Sequence, residues 1–392
     1  MPNACWGCRA TAATVPRPGG TDVDFDLSRE QRDLSAAVRA FTTAHAGLRP
    51  DSDASSGQQA KAWAAVREQL GVHGLLIPEP LGGAGGTILD LVVVLQEFGR
   101  ELFCSPYLAS AGLATVTLLG LPQTEARDRV LRELGAGEVV ATAGRDIFSD
   151  HRAVTGRPTA EVEDARWSLT GTSEAMIEAE LAGVALVVAN TVDGPGIFAV
   201  RLDASGVSRQ RLVTLDPTRS LTTIRFDRVA ADLLCSGGEL VPLLPGIRAQ
   251  AMVLLAAEQV GGASRCLEMA VEHAVARRQF GRPIGAFQAI KHLCADMLVD
   301  AETADAAVRV AAWNVDEQAE DVRETASMAA LQASAAFYRT AARTIQVHGA
   351  IAYTWEHPAH LYYKRAVTSR RLLASPSALA DEIAARTGLG VL

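Results

Sequence analysis

The spacing of apolar residues changes character twice along this chain. From Ser28 to about Gly135 apolar positions recur at helical intervals, broken by Gly and Pro. Ser28 precedes the run Arg29–His45 and suits an N-cap, because its hydroxyl can accept from a free N–H of the first turn. The segment 77–86 contains two prolines and four glycines, so it predicts a loop between a helix ending near Leu70 and a helix over Ile88–Leu102.

From Glu138 to Leu234 the pattern shortens. β-prone runs at Arg166–Thr170, Leu186–Ala189, Ile197–Val200 and Leu221–Phe226 alternate with turn signals such as Asp193-Gly194-Pro195-Gly196. Strands so short and close predict a compact antiparallel sheet or barrel.

From Pro245 the chain is helical and rich in alanine. Leu254, Ala257, Gly261, Ser264, Leu267, Val271 and Ala274 share one helical face. So do Leu293, Met297, Ala301, Ala304, Val308 and Ala311, and again Leu331, Ala335, Tyr338, Ala342 and Ile345. Long striped helices in series predict a bundle. The expected organisation is therefore a flexible leader (1–23), an α-helical domain (24–137), a small β domain (138–244) and a C-terminal four-helix bundle (245–392), an α+β fold that is mostly α.

Composition narrows the function. The chain has 37 basic and 45 acidic residues, a net charge of −8, which argues against a nucleic-acid partner. The apolar run Leu91–Leu95 is far shorter than a membrane helix needs. There is no secretory signal pattern, so a cytoplasmic location is expected. Cys5 and Cys8 form a C-x-x-C with no second pair, which reads as part of a solvated tail; the other four cysteines sit among apolar residues, as reduced core thiols do.

Candidate chemistry gathers at two helix ends. Around Arg277-Arg278-Gln279-Phe280-Gly281-Arg282-Pro283 the helical pattern breaks and three arginines stand within six residues. Guanidinium groups hold phosphate oxygens in pairs, and the helix beginning near Gln288 adds free backbone donors. The bland alternative, a solvated basic corner, is the stronger reading of these residues alone. A second feature, Gln346 to Pro358, ends a long helix in small residues that let backbone approach a planar ligand; an ordinary helix terminus explains it equally well.

Taken in order, these motifs resemble the acyl-CoA dehydrogenase family. Arg277-x-Gln279-Phe280-Gly281-x-Pro283-Ile284 with Phe287-Gln288 looks like its most recognisable segment, and Gln346-x-His348-Gly349 with Thr354-Trp355-Glu356-His357 looks like its second signature. Pro78-Glu79, Leu95-x-Glu97, Leu215-Asp216-Pro217-Thr218-Arg219 and Phe226-Asp227 extend the match over residues 24 to about 388. The resemblance implies FAD stretched between subunits. Arg277 and Gln279 would hold its pyrophosphate, Phe280 would flank a neighbour's flavin, and Gln346, Gly349 and Ala350 would line the adenine path. Thr142 and Gln288 would complete the cofactor contacts. It also implies removal of an α-proton and a β-hydride from an acyl-CoA or acyl-carrier-protein thioester, with a carboxylate as base.

The departures fall on that chemistry. The family's two base positions align with Ala251 and Leu373, neither of which can take a proton. Glu258, two helical turns beyond Ala251 (about 10 Å along the axis), and Glu356 are the remaining weak candidates. Ala175 replaces an aromatic wall, and Ala350 a glycine. A homo- or hetero-oligomer (dimer or tetramer) with a related dehydrogenase subunit is expected, and three readings follow: an active dehydrogenase with a displaced base, the non-catalytic partner of an unequal oligomer, or a flavin-free binding scaffold. The second ranks slightly ahead.

Overall fold

The structure, a computed structural model, describes residues 26–45, 56–149, 156–164 and 166–387. The leader with Cys5 and Cys8 lies outside the described residues.

Helix α1 (Arg29–Ala44) begins with a reciprocal cap: Ser28 Oγ accepts from Gln31 N–H, and Ser28 N–H donates to the Gln31 side chain. Helix α2 (Ser56–Ala65) runs into a π-helical turn over Val66–Leu70. The 77–86 loop folds on itself so closely that a Cβ on Gly83 would stand 2.0 Å from Ile77 O. Helix α3 (Ile88–Arg100) follows, capped by Thr87 and also from a distance: Asp316 accepts from Ile88 and Leu89 N–H at 2.8 and 3.1 Å. Short helices α4 (Thr115–Leu119) and α5 (Glu125–Gly135) complete this unit.

Seven strands follow: β1 (Ala141–Ala143), β2 (Thr159–Glu163), β3 (Arg166–Ile177), β4 (Val184–Thr191), β5 (Gly194–Arg201), β6 (Val207–Arg211) and β7 (Leu221–Ser236). The ring β4–β2–β3–β7–β5 closes on itself through β4–β5 pairing, with β1 beside β4 and β6 beside β7. Three details differ from the sequence expectation. β1 and β2 pair with β4 in parallel, so the barrel is mixed. β3 and β7 run far past their apolar cores, because a closed barrel pairs polar residues on its outer face as readily as apolar ones inside. The β4–β5 turn is Val192-Asp193, and Gly194, Pro195 and Gly196 are already paired strand.

After the short helix α6 (Gly237–Leu240), the C-terminal bundle comprises α7 (Leu244–Ala276), α8 (Gln288–Asp316), α9 (Val322–His348) and the shorter α10 (Ala359–Ser369), with α11 (Pro376–Arg386) packed on α9. The α8 stripe is buried from Met297 to Ala311 as the spacing implies, with Leu293 half-buried. The other two stripes need correction. Helix α7 is buried on every side from Ala251 to Ala263, being clasped by α3, α8 and α9 together, while Val271 on the expected stripe is exposed. On α9 the buried face is Ala326, Ala329, Ala333, Phe337, Thr340, Ala341 and Thr344. Threonine hides there because each hydroxyl donates to a carbonyl one turn back, Thr340 to Ala336 O and Thr344 to Thr340 O.

Two glycines set how closely α3 crosses α7. A Cβ on Gly99 would meet Glu258 O at 2.0 Å, and one on Gly261 would meet Gln96 O at 1.9 Å. That contact brings Leu95 and Phe98 of α3 alongside Glu258.

Candidate functional site

The Arg277 corner is a two-residue hairpin. Strands β8 (Arg278–Gln279) and β9 (Arg282–Pro283) pair antiparallel, and Phe280 and Gly281 turn between them at φ of +53° and +77°. Two positive values define a type I′ turn, which ordinarily favours Asn-Gly. Holding phenylalanine in that region costs about 1 kcal/mol, and here it presents the ring outward, 89 % exposed. Arg282 stacks over Phe287 at 4.2 Å and braces the base of the hairpin. Arg277, Gln279 and Gln288 are exposed around it, and no carboxylate among the described residues pairs with Arg277 or Arg282. Cations without a carboxylate partner at a projecting turn are free to meet an anionic group.

The end of α9 lies at the same end of the bundle. Val347 shares a small core with Ala270, Ala274 and Ile284 at the hairpin's foot. Gln346, Gly349 and Ala350 are exposed beside it. Behind them His273, His348 and His357 stack with ring centres 4.3 and 4.2 Å apart. Burial, together with the neighbouring His348 and His273, lowers the His357 pKa to about 4, so the stack is neutral at physiological pH.

The two positions aligned from sequence with the family's base hold no titratable side chain. Ala251 and Leu373 are buried, and Leu373 lines a small cavity together with Met252, Leu255, Gln259, Ser334, Arg370 and Leu379. Of the two weak carboxylate candidates, Glu356 is exposed on the loop after α9. Glu258 is buried but already engaged: Arg219 Nη2 donates to both its oxygens at 2.6 and 2.5 Å, and Arg365 Nη1 donates to Oε1. Burial alone would raise its pKa, yet the two guanidiniums hold it below the usual carboxylate value. A carboxylate so stabilised is a poor proton acceptor, which removes Glu258 as a base.

Two further expectations change. Thr142 is fully buried in β1 and its Oγ1 donates to Ile177 O at 2.7 Å, so its one proton is committed within the barrel. Ala175 sits at φ +50° in a bulge of β3, where the strand slips register between Ser173 and Met176. Beyond β1, Arg145 reaches across to donate to Leu372 O at 2.8 Å and Arg371 O at 3.1 Å. It thereby ties the barrel to the segment just before Leu373.

Sequence reasoning missed Arg145, Glu178 and the pairing of Arg219 and Arg365 with Glu258. Glu178 lies at the end of β3 with Arg219 Nε 4.0 Å away, 3 % exposed. Burial, opposed by Arg219 and Arg365 and reinforced by Glu258, raises its pKa to about 7. A carboxyl whose folded pKa exceeds its unfolded value stabilises the fold fully below the unfolded value and loses that contribution as pH rises through the folded one. Glu178→Gln should therefore flatten the stability profile between about pH 4.5 and 7. It should also make the variant the more stable protein above neutrality, read from melting temperatures across pH. An unchanged profile would show that Glu178 stays charged.

Helical domain, mixed barrel, bundle and projecting basic hairpin together define a flavoprotein dehydrogenase architecture. The chain belongs to the acyl-CoA dehydrogenase family: the family's N-terminal domain matches residues 28–138 and its C-terminal domain residues 250–373. It is 36 % identical to the acyl-CoA dehydrogenase IpdE2 of Mycobacterium tuberculosis over 350 residues, 88 % of this chain and 94 % of that protein. The acyl-CoA dehydrogenase IpdE2 of Mycolicibacterium smegmatis is 33 % identical over 353 residues, covering 89 % and 96 %. Among solved structures, the ChsE4–ChsE5 complex from Mycobacterium tuberculosis superimposes with a TM-score of 0.81 at 25 % identity, covering 93 % of this chain and 99 % of that one. Butyryl-CoA dehydrogenase of Megasphaera elsdenii shares the fold at a TM-score of 0.83 and 20 % identity, over 93 % and 100 %. FAD is the cofactor of this family, and the donor set of the hairpin suits its pyrophosphate. Among the described residues no helix is long and apolar enough to cross a membrane.

Proposed function

We propose that this chain is the non-catalytic subunit of an acyl-CoA dehydrogenase built from unlike subunits, acting in α,β-dehydrogenation of an acyl-CoA or acyl-carrier-protein thioester. The observation that carries the reading is the lack of a titratable side chain at both base positions. Ala251 and Leu373 are buried and carry no group that can take a proton, and Glu258 is bound by two arginines. A ChsE4–ChsE5 pairing among similar structures supports assembly with a related subunit. So does the exposed apolar set Val271, Val275, Phe280, Leu298 and Val299 on α7, the hairpin and α8.

FAD, when bound, supplies the acceptor for the β-hydride. The residues of this chain bind and orient: Arg277 and Gln279 grip the pyrophosphate of FAD seated with the partner, and Phe280 flanks its flavin. Gln288 lies at the first turn of α8, whose free N–H groups favour an anion. Gln346, Gly349 and Ala350 border the adenine half. The buried Thr142 and the bulged Ala175 leave the chain's own cleft poorly equipped to hold a ring system. The reduced cysteines Cys104, Cys235, Cys266 and Cys294 suit a cytoplasmic location.

Co-expression with a neighbouring dehydrogenase-like protein is the test. Yellow protein is expected from the pair, bleaching with an acyl thioester, and colourless protein from this chain alone. Bleaching by this chain alone would refute the non-catalytic assignment, and a colourless, inactive pair would favour a scaffold. Within the pair, Arg277→Ala should weaken FAD retention roughly tenfold or more, the loss of one charge-assisted contact. Unchanged flavin content after gel filtration would remove Arg277 from the site.

A further inference from the structure

The seam between the helical unit, the barrel and the bundle holds a polar cluster that the flavin reading does not use. Arg219 stands two residues before β7 and Arg365 is on α10, 4 % and 3 % exposed respectively. Both reach Glu258, and Arg365 also holds Asp216, its Nε 2.8 Å from Asp216 Oδ2. Arg219 forks over the two oxygens of Glu258 through a single nitrogen, while Arg365 donates to Oε1. Two buried guanidiniums aimed at one carboxylate form the arrangement with which proteins recognise carboxylate ligands.

The surroundings are those of a receptor lined on one side by hydrocarbon. Leu95, Phe98, Phe103 and Leu108 form that wall. Three polar atoms, Ser105 Oγ, Glu178 Oε2 and Arg219 Nε, border the same small cavity with no hydrogen-bond partner, each in a residue under 5 % exposed. An ion pair placed only for cohesion gains nothing from unsatisfied neighbours, since each unpaired buried polar atom is costly. They do suit a site whose occupant is polar.

We propose that Arg219 and Arg365 form a carboxylate-binding site and that Glu258 is its resident ligand. The seam thus takes carboxylates and is self-occupied in this protein. The inference needs neither flavin nor partner, so it stands or falls separately from the assignment as a subunit.

Truncating Glu258 to alanine removes one methylene and the carboxylate, the atoms of acetate. In the full chain, Glu258→Ala should melt several degrees lower than the parent at slightly alkaline pH. Acetate should return at least half of that loss, saturably, whereas chloride at equal ionic strength and acetamide should not. The parent protein should not respond. Equal effects of acetate and chloride, or an equal response in the parent, would overturn the proposal. Should Glu258→Ala not fold in chloride, refolding yields give the answer: roughly fivefold more soluble protein in acetate is expected, and equal yields would count against the site. Glu258→Gln keeps the place filled, so acetate should not rescue it; rescue there would equally refute a vacancy-based mechanism.

Discussion

Arg365→Met should lower stability by about 3–5 kcal/mol, the cost of removing one member of a buried ion group while its partners stay charged. Arg365 is 3 % exposed. Its Nε lies 2.8 Å from Asp216 Oδ2 and 2.9 Å from Thr218 Oγ1, its Nη2 donates to Thr218 O at 2.7 Å, and its Nη1 reaches Glu258. Methionine fills similar volume but offers no donor, so two carboxylates and a carbonyl each lose a donor at once. Adding Asp216→Asn should recover part of the loss by removing the charge that Arg365 neutralises, whereas Glu258 keeps Arg219. Urea unfolding of the single and double variants checks both statements. A single-variant loss below about 1 kcal/mol, the scale of a surface ion pair, would show that water reaches the cluster.

The second large effect is expected at the α3–α7 crossing. Gly261→Ala places a methyl 1.9 Å from Gln96 O and 3.0 Å from Arg100 N, both rigid helix backbone. No rotamer relieves such a clash, so the helices must separate along their contact. The cost should reach or exceed the ~1–3 kcal/mol typical of overpacking. Gly99→Ala on the facing helix meets Glu258 O at 2.0 Å and should behave alike. Gly246→Ala on the same α7, where a Cβ would meet nothing within 4 Å, is the control expected to melt near the parent. Comparable melting temperatures for all three would mean that α3 can shift freely on the bundle.

The sequence made the order of units legible because helical and strand periodicities differ strongly and punctuation by Gly and Pro is dense. Ser28 and Thr87 illustrate the local case, where cap and helix are neighbours. Faces were less legible where composition is uniform. On α9, alanine alternates with threonine, and the stripe through Tyr338 and Ala342 looked as apolar as the buried one through Phe337 and Ala341. Thr142 shows the limit of matching by resemblance, because its hydroxyl is claimed by Ile177, 35 residues away in sequence. The hairpin at Phe280 was readable as a break, but its turn type and outward ring depend on two dihedral angles. Glu258 shows the same limit for charge: nothing in its neighbourhood along the chain announces that its partners are Arg219 and Arg365.

That separation bears on the order of events during folding. Arg219 is 39 residues from Glu258 and Arg365 is 107, the first on the barrel and the second on another helix of the bundle. The cluster can close only after the barrel has its register and α10 has docked, so its bonds belong to the native side of the main barrier. Contacts made after the barrier slow escape from the native state and leave arrival unchanged. The charged seam accordingly confers persistence, so that substitutions in it should show up as faster unfolding with little effect on the refolding rate.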